Sequence, residues 1–179
     1  LNLAKTLIKF DPNSLIHGIF LEKIGGVVRL PRLLSSFIEA KNIITAPSGG
    51  AKIDRVQPAT SGKNTPYGKA DDGYGNVIFP RDEYNGEVTA FFNLDLALLN
   101  GYGLSSQAKD FLIALSMFKI QSFLKYGLHL RSACDFEIEG KANTKRPVGF
   151  EMPLLEDIRS ELPRLIASVP EFVNPPKTL

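Results

Sequence analysis

The stretch 87-EVTAFFNLDLALLNGYGLSSQAKDFLIALSMFKIQSFLKYGLHLRSAC-134 decides the fold. From Glu87 to Leu99 it is rich in Val, Thr, Phe and Leu and holds neither Pro nor Gly, as a buried strand would. Gly101 and Gly103 break that run. Good helix formers then continue from Ser105 to Tyr126, with Ser105 or Ser106 placed to cap the N-terminus and Gly127 placed to end the helix. Between Phe111 and Ile120 only Ser116 and Lys119 interrupt the apolar residues, so this helix must be covered over most of its circumference. With the strand that follows, L-H-L-R-S-A-C, the stretch predicts strand–helix–strand, long enough for a right-handed crossover between parallel strands.

Upstream, Leu3, Leu7 and Phe10 against Lys5 and Lys9 predict an amphipathic helix stopped at Asp11-Pro12. N-S-L-I-H-G-I-F-L predicts a mostly buried strand through Leu15, Ile16, Ile19, Phe20 and Leu21, with Ser14, His17 and Gly18 within it or at its lip. Gly25-Gly26 turns the chain, Pro31 suits the first turn of a helix over Leu33–Ala40, and Asn42–Ala46 returns as a strand. Residues 47–86 are punctuated by Gly and Pro and carry Lys52, Arg55, Lys63, Lys69 and Arg81, a long inserted loop of functional character in which Lys52–Val56 can form one leg of a hairpin. Downstream, Phe136, Ile138 and Phe150 suggest a hairpin across the basic turn K-A-N-T-K-R. Leu154–Val169 predicts a closing helix that Pro163 can kink. The expected class is α+β, in the ferredoxin-like, split βαβ order shared by RNA-recognition domains.

Composition narrows the chemistry. At 179 residues, with 44% hydrophobic and 22% charged side chains, the chain suits one globular domain with a sizeable core, or a core plus a long excursion. A net charge of +2 makes no nucleic-acid argument unless the basic residues cluster. One cysteine excludes an internal disulfide framework and fits a reducing, cytoplasmic compartment. That cysteine and two histidines leave little material for a zinc site, so no cofactor or metal is expected. No apolar run is long enough to predict a membrane span.

Ser14 and His17 are three apart with Asp11 near, but no nucleophile elbow accompanies them, and a structural histidine or a contact to RNA is the better reading. P-S-G-G-A-K lacks the G-x-x-x-x-G-K-[ST] of a nucleotide-hydrolysing loop. Its backbone amides and Lys52 can hold a phosphate, or the segment is a plain turn. Asp71-Asp72 reads as a solvated turn, with metal-dependent RNA cleavage as the sharper alternative. Burying Asp95 alone would cost several kcal/mol, so it needs a partner or a surface. Arg29, Arg32, Lys52, Arg55, Arg81 and Arg131 lie at loops and element ends and form, as a group, a phosphate-binding hypothesis. The aromatic signature of ordinary RNA-recognition domains is absent, so Phe91 and Phe92 read as core.

The runs D-P-N-S-L-I-H-G-I-F-L, R-L-P-R-L-L-S-S-F-I-E-A, S-G-G-A-K-I-D, A-F-F-N-L-D-L-A-L-L-N-G-Y-G-L and F-L-K-Y-G-L-H-L-R-S-A-C-D resemble one CRISPR-associated family between Asp11 and Asp135. It is the backbone (seventh) Cas subunit of the type I-U, or I-G, Cascade effector complex, in the RAMP superfamily. The resemblance implies the C-terminal portion of a longer RAMP-type palm, spanning 1–179 as one domain incomplete at its N-terminus, with 47–86 as an inserted basic loop. It implies a non-enzymatic subunit that polymerises along CRISPR RNA for antiviral interference. The implied partners are further copies of itself, other Cascade subunits and target DNA paired to the guide. The expected RNA contacts are His17, Arg29, Arg32, Ser48, Lys52, Arg55 and Arg81. The alternatives are a target-RNA-cleaving subunit of the type III kind, with Asp54, Asp71 or Asp72 as the acid, and a protein–protein scaffold without RNA contact.

Overall fold

A computed structural model describes residues 3–22, 28–54, 75–131 and 134–172, with backbone alone for 46–54, 75–85 and 131. The order is α1 (Leu3–Phe10), α2 (Asn13–His17), β1 (Ile19–Leu21), β2 (Val28–Leu30), β3 (Leu34–Asp54) and β4 (Gly75–Leu94). There follow α3 (Leu96–Gly101), α4 (Ser106–Tyr126), β5 (His129–Arg131), β6 (Cys134–Asp135), α5 (Leu155–Ser168) and a 3₁₀ turn at Pro170–Phe172. The α+β class expected from the sequence is the one observed. The chain divides into two compact units, one of residues 1–37 with 91–179 and one of residues 38–90.

Strand pairing departs from the crossover reading. The described strands form three two-stranded sheets, β1–β2, β3–β4 and β5–β6, so β4 and β5 are not neighbours and no four-stranded split βαβ sheet forms among the described residues. Each strand pairs with its neighbour in sequence, the arrangement that closes the shortest loops. The two strands of the β3–β4 ribbon run in opposite directions: Phe37 meets Phe91, while Gly86 lies against Lys41–Ile43. This ribbon takes in much of the stretch expected as irregular loop. Strand backbone continues to Asp54 and resumes at Gly75, and residues 55–74, with Arg55, Asp71 and Asp72, lie outside the described residues.

Four local expectations are corrected. Of the helix expected over Leu33–Ala40, Leu34 onward is strand: L-L-S-S-F-I-E-A satisfies either period, and pairing with β4 overrides its helical tendency. The segment expected as one strand over 13–21 is helix α2 followed by β1, with the switch at Gly18. The strand expected over Glu87–Leu99 ends at Leu94, because Asp95 starts α3 by accepting the Leu98 amide at 2.8 Å. Asp95 thereby has a partner, and it is also exposed to solvent. The hairpin expected around Phe136 and Phe150 is irregular chain, interrupted at Gly140 and Gly149, whose φ of 77° and 80° suit turns rather than strands.

The first unit's core is built on α4. Ala4 and Ile8 of α1, Leu15 and Ile16 of α2, then Leu33, Leu99, Tyr102 and Leu104, close on Ala108, Phe111 and Leu112. On α1 the buried face is Ala4–Ile8, and Phe10, expected on the apolar face, is 65% exposed. Each fully buried Leu or Ile contributes about 1.5–3 kcal/mol. Ser116 is accommodated on the buried face because its hydroxyl donates to the Leu112 carbonyl at 2.7 Å.

Helix α5 runs antiparallel to α4. Gln121 Nε2 donates to the Pro153 carbonyl at 2.7 Å at one end, and Phe111 meets Phe172 edge-on at 5.5 Å at the other. The helix continues through Pro163, which tolerates the lost amide bond on an exposed face.

Candidate nucleic-acid interface

The site grows from D-P-N-S. The Asp11 carboxylate accepts the Asn13 amide and side-chain N–H, each at 2.9 Å, and the Ser14 hydroxyl at 3.0 Å. These bonds hold the first turn of α2. Partial burial pushes the Asp11 carboxyl up, but the bonds from Asn13 and Ser14 outweigh it and hold the group below its ordinary value. Leu15 and Ile16 point into the core, which leaves His17 exposed at the helix end. Partial burial first, then the charge of Lys119 on α4, lowers the imidazole below its ordinary value against a weaker pull from Asp11. His17 is therefore mainly neutral at pH 7.

Gly18 then reverses the chain at φ 80° and admits the returning segment. A β-carbon there would lie 2.9 Å from the Leu30 carbonyl oxygen and 3.1 Å from the Arg32 amide nitrogen. The β1–β2 hairpin pairs Ile19 with Leu30, Phe20 with Arg29 and Leu21 with Val28. Strand alternation puts Ile19, Leu21, Val28 and Leu30 on the half-buried face and leaves Phe20 and Arg29 side by side on the open one. Phe20, expected within a buried strand, is 59% exposed.

Beyond the hairpin, Tyr102 donates its hydroxyl to the Pro31 carbonyl at 3.1 Å and so anchors the segment carrying exposed Arg32. Burial, then the negative charge of Asp95, pushes the Tyr102 hydroxyl up, which keeps it a donor. Leu33 closes the path: its amide reaches the Leu15 carbonyl at 3.4 Å and its carbonyl accepts the Asp95 amide at 2.9 Å.

Of the expected contacts, His17, Arg29 and Arg32 are thus brought to one neighbourhood of the first unit. Ser48, Lys52 and Arg81 lie on strand backbone in the second unit, where the side chains are outside the described residues, as is Arg55 altogether. Asp54 of the cleavage alternative closes β3, again with backbone alone. Phe20 and Lys119 were missed. Period-two alternation in I-F-L and V-R-L, read as a hairpin, would have found Phe20. Nothing in the local sequence points to Lys119, whose placement depends on α4 packing.

Among the described residues no three His, Cys, Asp or Glu side chains gather as a metal site, and no helix is long and apolar enough to cross a membrane. The arrangement offers a planar ring beside the Arg29 guanidinium, the Arg32 guanidinium three residues on and a titratable imidazole. Such groups can stack a base and hold phosphate oxygens.

A comparison with curated proteins finds no match. Residues 1–45 match the family model described as CRISPR-associated protein GSU0053 (Cas_GSU0053). That stretch includes His17, Phe20, Arg29 and Arg32, whereas Ser48, Lys52, Arg55 and Arg81 lie beyond it. The match supports a CRISPR-associated protein with a part in CRISPR defence.

Proposed function

We propose that the chain is a CRISPR RNA-binding backbone subunit of a Cascade-like effector complex of the type I-U (I-G) kind, a RAMP-superfamily protein that binds guide RNA without cutting it. The observation that carries this reading is the open hairpin face, Phe20 beside Arg29 with Arg32 and His17 adjoining, inside the stretch matched to a CRISPR-associated family. On this reading Arg29 and Arg32 take phosphates, Phe20 takes a sugar or base face, and His17 adds a bond to a phosphate oxygen when protonated. A net charge of +2 fits a subunit that contacts few phosphates per copy and gains affinity by lining up with other copies along one guide. Ser48, Lys52, Arg55 and Arg81 are proposed as further backbone contacts from the β3–β4 ribbon and the segment it connects. The guide paired to target DNA, further copies of the chain and other subunits of the complex are the proposed partners, and the cytoplasm the proposed compartment.

Titrating labelled CRISPR RNA with the protein at several ionic strengths, with duplex DNA as control, tests the reading. Preferential, salt-dependent binding of the single strand supports it. Equal or absent binding of both contradicts it.

A further inference from the structure

We infer that the open face of Phe37 is a stacking platform for an unpaired nucleobase, at the outer end of a column formed by Phe37, Phe91 and Lys145. The inference rests on the RNA-binding reading above and adds to it a site separate from the β1–β2 hairpin. The Phe37 and Phe91 rings stack with centroids 4.8 Å apart and planes 20° from parallel. Lys145 Nζ stands 4.7 Å from the Phe91 centroid. Phe37 occupies one face of Phe91, which leaves the other face to the ammonium. Phe91 is half-buried within this column, whereas Phe37 is 62% exposed.

Neighbouring Phe92 shows that the exposure is not a packing accident of an all-aromatic strand. Alternation turns Phe92 to the other face of β4, where it meets Phe123 of α4 edge-on at 5.9 Å. One ring therefore packs on α4, and its neighbour builds a column on the opposite face of the strand. Along the same strand faces the flanking residues are Ser35 and Asn93, both polar. Broad apolar patches of several hundred Å² are typical of protein docking sites. A flat ring flanked by Ser35 and Asn93 instead suits a nucleobase, which is itself a flat π-face with polar edges. Phe37 also lies within the matched stretch, residues 1–45.

Charge plays a small part here. In the loop that supplies Lys145, Lys141 and Arg146 are balanced by Glu137, Glu139 and Glu151. Stacking, worth about 1–3 kcal/mol per base, would supply the affinity. Loss of Phe37 should therefore weaken RNA binding without altering its salt slope, unlike loss of an arginine on the hairpin.

The protein contains no tryptophan, so Phe37→Trp installs a single indole reporter at the site. Fluorescein-labelled oligouridylate is the probe, read by anisotropy for binding and by tryptophan emission for stacking. The expected result is quenching with the same midpoint as the anisotropy change. Phe37→Ala should lose roughly tenfold in affinity at an unchanged salt slope, and Phe37→Tyr should retain it. Binding by anisotropy without quenching, and with full affinity for Phe37→Ala, overturns the platform while leaving RNA binding intact. Absence of binding by the unsubstituted protein overturns both. Emission that changes with protein concentration in the absence of RNA indicates a protein occupant and also overturns the platform. If Phe37→Ala fails to fold, quenching in Phe37→Trp still decides.

Discussion

Gly18 and Arg32 are pressed together at the centre of the candidate interface: a β-carbon on Gly18 would sit 3.1 Å from the Arg32 amide nitrogen. The same atom would sit 2.9 Å from the Leu30 carbonyl oxygen, and φ at Gly18 is 80°. Both obstacles are backbone, so neither can be relieved by rotating a side chain. Gly18→Ala should cost about 1–3 kcal/mol of stability through the strained φ, with the clash adding to it, and should displace Arg32. Chemical denaturation and RNA titration of the same variant check this. Unchanged values in both would show that the turn is not needed.

At the start of α4, the Ser105 hydroxyl accepts the Ala108 amide at 3.1 Å and donates to Glu171 Oε2 at 2.7 Å. The Ser105 amide donates to Oε1 at 2.9 Å. Glu171 thus caps α4 together with Ser105 and ties the 3₁₀ turn to it. Partial burial pushes its carboxyl up, but these bonds, with a smaller contribution from Lys5, hold it below the ordinary glutamate value of 4.5. The stabilisation is therefore present above pH 4.5 and is lost as pH falls through the depressed value. Ser105→Ala should cost about 1 kcal/mol. Glu171→Gln should flatten the fall in melting temperature below pH 4.5. An acid limb identical to that of the unsubstituted protein would contradict the linkage.

The helix that Ser105 starts was legible because every local signal agrees: a capping serine, an uninterrupted run of helix formers and Gly127 at the end. The observed element, Ser106–Tyr126, reproduces the expectation. Other segments were not legible, because the decisive interaction is distant in sequence. Leu33–Ala40 fits a helix on its own, and only pairing with β4, about fifty residues on, makes it strand from Leu34 onward. Phe20 looks like core until the hairpin register places it beside Arg29. Asp95 was expected to have a partner or a surface and has both, but that its partner is the first turn of a new helix depends on where β4 ends. For the interface, arginine positions could be nominated from composition, and their grouping could not.

His17 gives the candidate interface a pH signature. Its folded value is lowered by partial burial and by Lys119, so the imidazole is mainly neutral at pH 7. A bound phosphate would favour the protonated form, and RNA affinity should rise as pH is lowered from about 8 to about 6. The native state alone shows the reverse tendency, since the unfolded chain takes up the proton first below 6.5. His17→Gln should remove most of the pH dependence of RNA affinity while leaving the affinity at pH 8 within about twofold. A pH dependence that survives the substitution would place the titrating group elsewhere.

The most direct test of RNA binding by the hairpin face is the salt dependence of binding by the Arg29→Ala/Arg32→Ala variant. If both guanidiniums neutralise guide phosphates, affinity should fall at low salt for every guide sequence. The log–log slope should become shallower by about 1.4, at roughly 0.7 per phosphate on a single strand. An unchanged slope and affinity in a variant that still melts cooperatively would remove the Phe20–Arg29 face from the RNA interface and contradict the account.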